Sequence, residues 1–183
     1  MGLLWAVTAV SVTSTLGVPR VDGVFLSLNS ANANFTVAQW SAEFDAMTQV
    51  GISFAAVRAG LVGTSNTTAG GCTLGTYVAY YPTTLKPSAC YRFEPGLDDG
   101  DSPLGRLLAG AARIGVKVHL TPAMPHSPFA WPHSPVPQYF AYLAQLQVDA
   151  FDDVLAVFPQ HAGNIAGVYT ALEEWNGPGW VKY

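Results

Sequence analysis

The sequence predicts an α/β fold built on a parallel sheet. Apolar runs of strand length alternate along the chain with segments in which apolar residues recur every three or four positions. The runs are apolar on both faces, as parallel strands covered by helices require. Eight such units close a parallel (β/α) barrel of TIM type, which takes about 250 residues. We therefore expect the 183 residues to form the first four βα units, a half-barrel fragment.

An open doubly wound sheet is the alternative architecture. Such sheets often carry a glycine-rich phosphate-binding turn after the first strand. The chain has no G-x-G-x-x-G motif and no P-loop. The barrel is therefore preferred.

The first unit is predicted from residue 21 to residue 51. Val21–Leu28 has strand composition, and a polar turn leads to a helix capped near Thr36. Apolar residues then recur at helical spacing through Val50, and Gly51 ends the helix. Trp40 falls on this apolar stripe, so we expect it in the core.

The second unit begins with a strand at Ile52–Val62. From Gly63 to Asp101 the chain has no helical period and carries both cysteines and several aromatic residues. We expect a functional loop at the carboxyl-end rim of the sheet, or an insertion held by its own disulfide. Ser102 and Pro103 then predict a helix start, and Gly115 ends that helix.

The third unit and the strand of the fourth follow Gly115. Val116–Thr121 is predicted as the third strand, followed by a proline-stiffened loop. A helical pattern runs from Gln138 to Phe158, and Ile165–Leu172 is the fourth strand.

The chain begins with an apolar stretch followed by small residues. Residues 1–17 are predicted to be a signal peptide, and residues 18–183 the barrel domain. The stretch has no basic residue before it, so a leading barrel strand is the alternative. No apolar stretch is long enough to predict a membrane span. We expect a secreted, extracellular protein.

Two cysteines and two glycosylation sequons fit the same compartment. Cys72 and Cys90 enclose a loop rich in Gly, Thr and Pro, which favours a disulfide over a metal pair. Asn34 and Asn66 each begin an N-x-T sequon. A glycoprotein with one disulfide is the expectation.

The charge pattern limits the classes of ligand or partner that we expect the chain to bind. Only 11% of the residues are charged, the net charge is −4, and the eight Lys and Arg are scattered. Nucleic-acid binding would need a basic patch, so no nucleic-acid partner is expected. A surface of hydroxyls, amides and aromatic rings suits a neutral ligand such as a carbohydrate.

The most informative stretch is I-A-G-V-Y-T-A-L-E-E-W-N, residues 165–176. A strand-like run ends abruptly in Glu173 and Glu174, followed by Trp175 and Asn176. In parallel α/β folds, ligands bind beyond the carboxyl ends of the strands. The two carboxylates are therefore candidate catalytic groups, although an acidic pair can also merely solvate a strand end.

Three stretches resemble one family. They are G-V-F-L-S-L with W-S-A-E-F-D-A-M-T-Q-V-G-I, then D-S-P-L-G-R-L-L-A-G-A-A-R-I-G-V-K-V-H-L, and finally G-V-Y-T-A-L-E-E-W-N. Together they resemble the secreted, glycosyl-hydrolase-like TIM-barrel domains of unknown function of the 4434 family. The last stretch is similar to that family's G-W-Y-x-P-x-E strand, with Val168 in place of the aromatic and Ala171 in place of the proline. The resemblance puts the family glutamate on Glu173 and implies a glycoside hydrolase-like activity.

Glycoside hydrolysis usually needs two carboxyl groups, one as general acid and one as nucleophile or base. Adjacent strand residues point to opposite faces, so Glu173 and Glu174 do not form that pair. We expect Glu173 to be the general acid/base and a later strand to supply its partner. Candidate substrate-binding residues in the rim are Trp131, Trp175, His126, Arg58 and Asn176.

Neither a metal site nor a cofactor is predicted. The chain has no H-x-x-x-H or H-E-x-x-H motif, and its cysteines are not clustered. A non-catalytic carbohydrate- or protein-binding module is the alternative to an enzyme. A half-barrel that dimerises to cover its open sheet edges is a further possibility that the sequence leaves open.

Overall fold

The computed structural model describes residues 11–13, 19–69, 72–86, 91–93, 102–124 and 137–169. Over these residues the chain forms an α/β fold with a mostly parallel sheet, as predicted. The strands are β1 (Ser11–Thr13), β2 (Pro19–Val21), β3 (Gly23–Ser27), β4 (Phe54–Ala69), β5 (Cys72–Ala79), β6 (Tyr91–Phe93), β7 (Lys117–Met124) and β8 (Ile165–Val168). The helices are α1 (Val37–Gln49), α2 (Pro103–Ile114) and α3 (Pro137–Val157), with a 3-10 helix at Pro159–Asn164.

Four strands form the parallel part of the sheet, in the order β3-β4-β7-β8. A helix connects each of these strands to the next along the chain, which is the connection that parallel neighbours require. β1 and β2 form a separate antiparallel pair.

The region predicted as a long loop after the second strand contains regular structure. β4 continues past Val62 to Ala69 and pairs antiparallel with β5, and β6 then pairs parallel with β5. The second predicted strand is thus the first part of a longer β4. The segment has no helical period because its hydrogen bonds run between β4 and β5, which form a hairpin.

One face of the sheet is the core. Alternate residues of β3, β4 and β7 are buried in one cluster with apolar side chains from all three helices. The strand members include Val24, Leu26, Ala55, Val57, Val118 and Leu120. We call this the helix face of the sheet.

Local sequence accounts for the start of α1. Thr36 is the N-cap: its Oγ1 accepts from the Gln39 amide, and the Gln39 side chain accepts from the Thr36 amide in return. Phe35 precedes the cap, and its ring lies 5.2 Å from that of Trp40, centroid to centroid. This is a capping box with a hydrophobic staple. Trp40 is buried in the core as predicted.

The predicted limits of α2 are also confirmed. The Ser102 hydroxyl accepts from the Gly105 amide, Pro103 occupies the first turn, and Gly115 ends the helix at φ 87°. α2 packs closely on α1 at Gly110, where an added Cβ would lie 2.5 Å from the Trp40 Cβ. Glycine there permits the two helices to approach.

A buried carboxylate joins α3 to the segment that follows β5. Asp153 of α3 is 5% exposed and accepts from the Thr83 hydroxyl at 2.6 Å and the Thr84 hydroxyl at 2.5 Å. It also accepts from the Thr84 amide at 3.2 Å. Burial of a carboxylate is costly unless such donors satisfy it. Asp153 therefore fixes the end of the hairpin connection against the helix layer.

Candidate functional site

The face of the sheet opposite the helices carries the candidate site. Residues paired in register across parallel strands share a face, so Phe25, Ala56, His119 and Gly167 lie in one row across it. The row nearer the carboxyl ends contains Ser27, Arg58 and Thr121. We call this surface the aromatic face and the second row the carboxyl-end row.

Tyr169 completes the carboxyl-end row. Its amide donates to the Leu120 carbonyl at 2.7 Å, and its carbonyl accepts from the Thr121 hydroxyl at 2.7 Å. These two bonds carry the pairing with β7 one residue beyond Val168, the last residue of β8. Tyr169 therefore lies beside Thr121, in line with Arg58 and Ser27.

The aromatic face is concave. The ring centroids of Phe25 and Tyr169 are 5.1 Å apart, although β4 and β7 separate their strands. On a flat sheet, three strand spacings would hold these residues roughly 14 Å apart. Curvature of the sheet toward this face, together with the reach of the two side chains, brings these rings together above β4 and β7.

The middle of the face combines an imidazole with a phenyl ring. His119 and Phe54 meet edge to face, with ring centroids 5.5 Å apart. Across the next strand, Gly167 has no side chain, and a Cβ there would lie 3.7 Å from His119 Nδ1. Both rings are partly exposed, so this part of the face remains accessible to a small ligand.

The turn after β3 lies next to the carboxyl-end row and is held by side-chain hydrogen bonds. Asn32 is 2% exposed, and its side chain accepts from the Asn29 amide at 2.9 Å and donates to the Ser27 carbonyl at 2.9 Å. Asn29 also donates to the Ser27 carbonyl, at 3.2 Å. The side chains of the turn thus hold it to the end of β3, where asparagine commonly stabilises turns.

Two tyrosines on the helix side have shifted acidity. Burial raises the pKa of Tyr80 and, more strongly, that of Tyr81. The Asp153 carboxylate adds to the rise at Tyr81, but the buried Tyr81 hydroxyl has no hydrogen bond of good geometry to any residue that the structure describes. Tyr81 therefore stays protonated and packs on Phe158, 6.3 Å between ring centroids.

Most of the predicted site residues lie outside the described ranges. They are Glu173, Glu174, Trp175, Asn176, Trp131 and His126, together with Cys90 of the expected disulfide. Cys72 begins β5, opposite Ala69. Among the predicted substrate-binding residues, Arg58 is described, and it lies in the carboxyl-end row.

The sequence prediction missed four residues of the aromatic face. Phe25, His119 and Thr121 were assigned only to strands, and Tyr169 only to the approach to Glu173. Their signal was available in the alternation of the strands: in V-K-V-H-L-T, every second residue is polar. The prediction that the strands are apolar on both faces left out the aromatic face.

Residues suited to a metal ion do not gather in the described ranges, where no group of three or more His, Cys, Asp or Glu side chains occurs. The same part of the chain contains no helix with both the length and the apolar character for crossing a bilayer. No family model matches the chain, and no curated protein and no solved structure matches it either. The resemblance to the 4434 family stays a prediction from the residues.

Proposed function

We propose that this chain forms the first four βα units of a TIM-type barrel whose carboxyl-end rim binds and hydrolyses a carbohydrate. The barrel architecture is supported by four parallel strands in sequential order with the three helices packed on one face. A doubly wound sheet would need helices on both faces. The concave aromatic face corresponds to a barrel interior.

The observation that carries the proposal is the contact between Phe25 and Tyr169. It brings aromatic rings from the first and fourth strands together at the end of the sheet where such folds bind ligands. Flat aromatic rings beside a guanidinium and hydroxyls are suited to the apolar faces and hydroxyls of a sugar. Arg58 and Ser27, which are both partly exposed, supply those polar groups in the carboxyl-end row, whereas the Thr121 hydroxyl is buried and donates to the Tyr169 carbonyl.

The same row favours Glu173 as the general acid/base. Tyr169 lies on the aromatic face, and strand side chains alternate between faces. A continuing strand would therefore present residue 173 on the side of Tyr169 and residue 174 on the other. A hydrolase also needs a second carboxyl group about 5 to 9.5 Å from Glu173, which we assign to a strand of the other half of the barrel.

The remaining candidates would complete the rim. Trp131 and Trp175 would provide stacking surfaces, while His126 and Asn176 would hydrogen-bond sugar hydroxyls. The mechanism requires no metal ion or cofactor, since protonation of the leaving oxygen and attack at the anomeric carbon both use carboxyl groups. A secreted protein is consistent with such a substrate.

Replacement of Glu173 by Gln in a complete barrel, with both halves present, tests the assignment, with Glu174→Gln as the matched control. Hydrolysis would be measured on a panel of soluble polysaccharides and aryl glycosides, and binding by calorimetry. We expect Glu173→Gln to lower turnover by about 100-fold or more while binding persists, and Glu174→Gln to have a much smaller effect.

Three outcomes would overturn the proposal in different ways. Equal losses in both variants would contradict the choice of Glu173. Binding by the unaltered protein without any hydrolysis would favour the non-catalytic binding module. Neither binding nor hydrolysis across the panel would remove carbohydrate as the ligand class.

A further inference from the structure

The turn between β3 and α1 contains a sequon that the proposed activity does not use. Asn34, Phe35 and Thr36 form N-F-T, and the Asn34 side chain is exposed. The backbone on both sides of Asn34 is held to α2. Arg106 donates to the Ala33 carbonyl at 2.6 Å through Nη2 and to the Phe35 carbonyl at 2.8 Å through Nε.

The third residue of the sequon begins a helix. Thr36 is exposed, and its hydroxyl accepts from the Gln39 amide at 3.2 Å as the N-cap of α1. The neighbouring Phe35 ring packs on Trp40 and therefore points to the core. The folded protein therefore has room for a large group on the Asn34 amide without disturbing the cap or the staple.

We propose that Asn34 carries an N-linked glycan. The amide Nδ2 would attack the anomeric carbon of a lipid diphosphate-linked oligosaccharide. The N–C bond forms, the C–O bond to the phosphate breaks, the lipid diphosphate leaves with the electron pair, and the amide loses one proton. The proposal depends on passage through a secretory compartment and does not depend on glycoside hydrolysis.

The second sequon is a different case. Asn66 lies within β4, where it pairs with Gly75 of β5. Asn34 lies instead in an exposed turn, the kind of surface site on which glycans are carried. The proposal is therefore made for Asn34.

The position has a consequence for ligands. The turn that contains Asn34 is bonded to the Ser27 carbonyl, and Ser27 is the first residue of the carboxyl-end row. A glycan on Asn34 would stand at the same end of the sheet as the candidate site. It would border the approach to that site from the side of β3.

The experiment expresses the full chain with its own N-terminus in a eukaryotic secretory host. Peptide mass spectrometry before and after release by an amidase that converts glycosylated Asn to Asp would report on residue 34. We expect the secreted protein to carry a glycan at Asn34, and Asn34→Gln to lose it completely.

Substitutions at Thr36 separate the sequon from the helix cap. Thr36→Ser keeps both the sequon and the N-cap, so glycosylation of Asn34 should persist. Thr36→Asp keeps a good N-cap but destroys the sequon, so the glycan should disappear while the melting temperature of unglycosylated protein stays close to that of the unaltered chain. This second variant keeps the test valid if Asn34→Gln fails to fold.

Several results would overturn the proposal. An unmodified Asn34 in the secreted protein would do so, as would a glycan found on Asn66 alone. Retention of the unaltered chain in the cytosol would also contradict it, because the donor lipid would then never meet the sequon. Persistence of the glycan in Thr36→Asp would show that the modification is not sequon-directed.

Discussion

The two faces of the parallel sheet differ in chemistry. On the helix face, Val57, Val118 and Leu120 have no exposed surface. On the aromatic face, the neighbouring residues Arg58 and His119 remain partly exposed, although they lie on the same strands. On the helix face large apolar side chains are fully buried, whereas the buried residues paired across the aromatic face, Ala56 and Thr121, are small. The aromatic face also retains partly exposed polar and aromatic groups, which a core does not require.

Substitution of Leu120 and of His119 by alanine should give the largest contrast between the faces. Leu120 is fully buried, so Leu120→Ala should lower the free energy of unfolding by about 2–5 kcal/mol through lost transfer energy and an unfilled cavity. His119→Ala removes a partly exposed ring contact and should cost less than about 1.5 kcal/mol. Urea unfolding followed by circular dichroism would measure both.

Equal losses in the free energy of unfolding for Leu120→Ala and His119→Ala would contradict the difference between the two faces. Such a result would mean that the aromatic face is packed as tightly as the helix face. It would then be a second core and not a ligand-binding surface.

A smaller loss in the free energy of unfolding is expected for substitution of Asp153. This buried carboxylate shows that the helix side is not uniformly apolar. Asp153→Ala removes a carboxylate that accepts from Thr83 and Thr84 and should cost about 2–3 kcal/mol. Asp152→Ala makes the same change on an exposed position of the same helix and should stay within about 0.5 kcal/mol.

Amide hydrogen exchange would sharpen this result. Protection should fall for the amides near Thr84 in Asp153→Ala and should be unchanged in Asp152→Ala. Similar stability and exchange in the two variants would refute a positioning role for Asp153.

The smallest effect concerns His161, in the 3-10 helix that leads into β8. Burial lowers the pKa of this imidazole below its usual value of 6.5. The unfolded chain therefore binds a proton at higher pH than the folded chain does, and His161 reduces stability as the pH falls through 6.5.

Replacement by Gln removes this group from the titration. Between pH 7 and pH 5.5, the unfolding midpoint of the unaltered protein should fall slightly further than that of His161→Gln. A larger decrease in the variant would contradict the assigned direction of the pKa shift. Matched urea titrations at several pH values would provide the measurement.

Local signals in the sequence were sufficient for most of the helix limits. Thr36, Ser102 and Gly115 predict where helices begin or end because they satisfy backbone groups within a few residues of themselves. The parallel strands were predicted in order for a similar reason, since apolar runs must be buried. Tyr81 and Asp153 gave no such signal, because their environment comes from segments about 70 residues away along the chain.

The sequence by itself determined the α/β class and the order of the four parallel strands and the helices that connect them. Those features depend on residue spacing and on contacts between near neighbours. Only the tertiary structure decided that β4 and β5 form a hairpin and that Phe25 meets Tyr169 across a concave face. Sheet curvature and long-range pairing arise from the packing of distant segments, and no local pattern encodes their geometry.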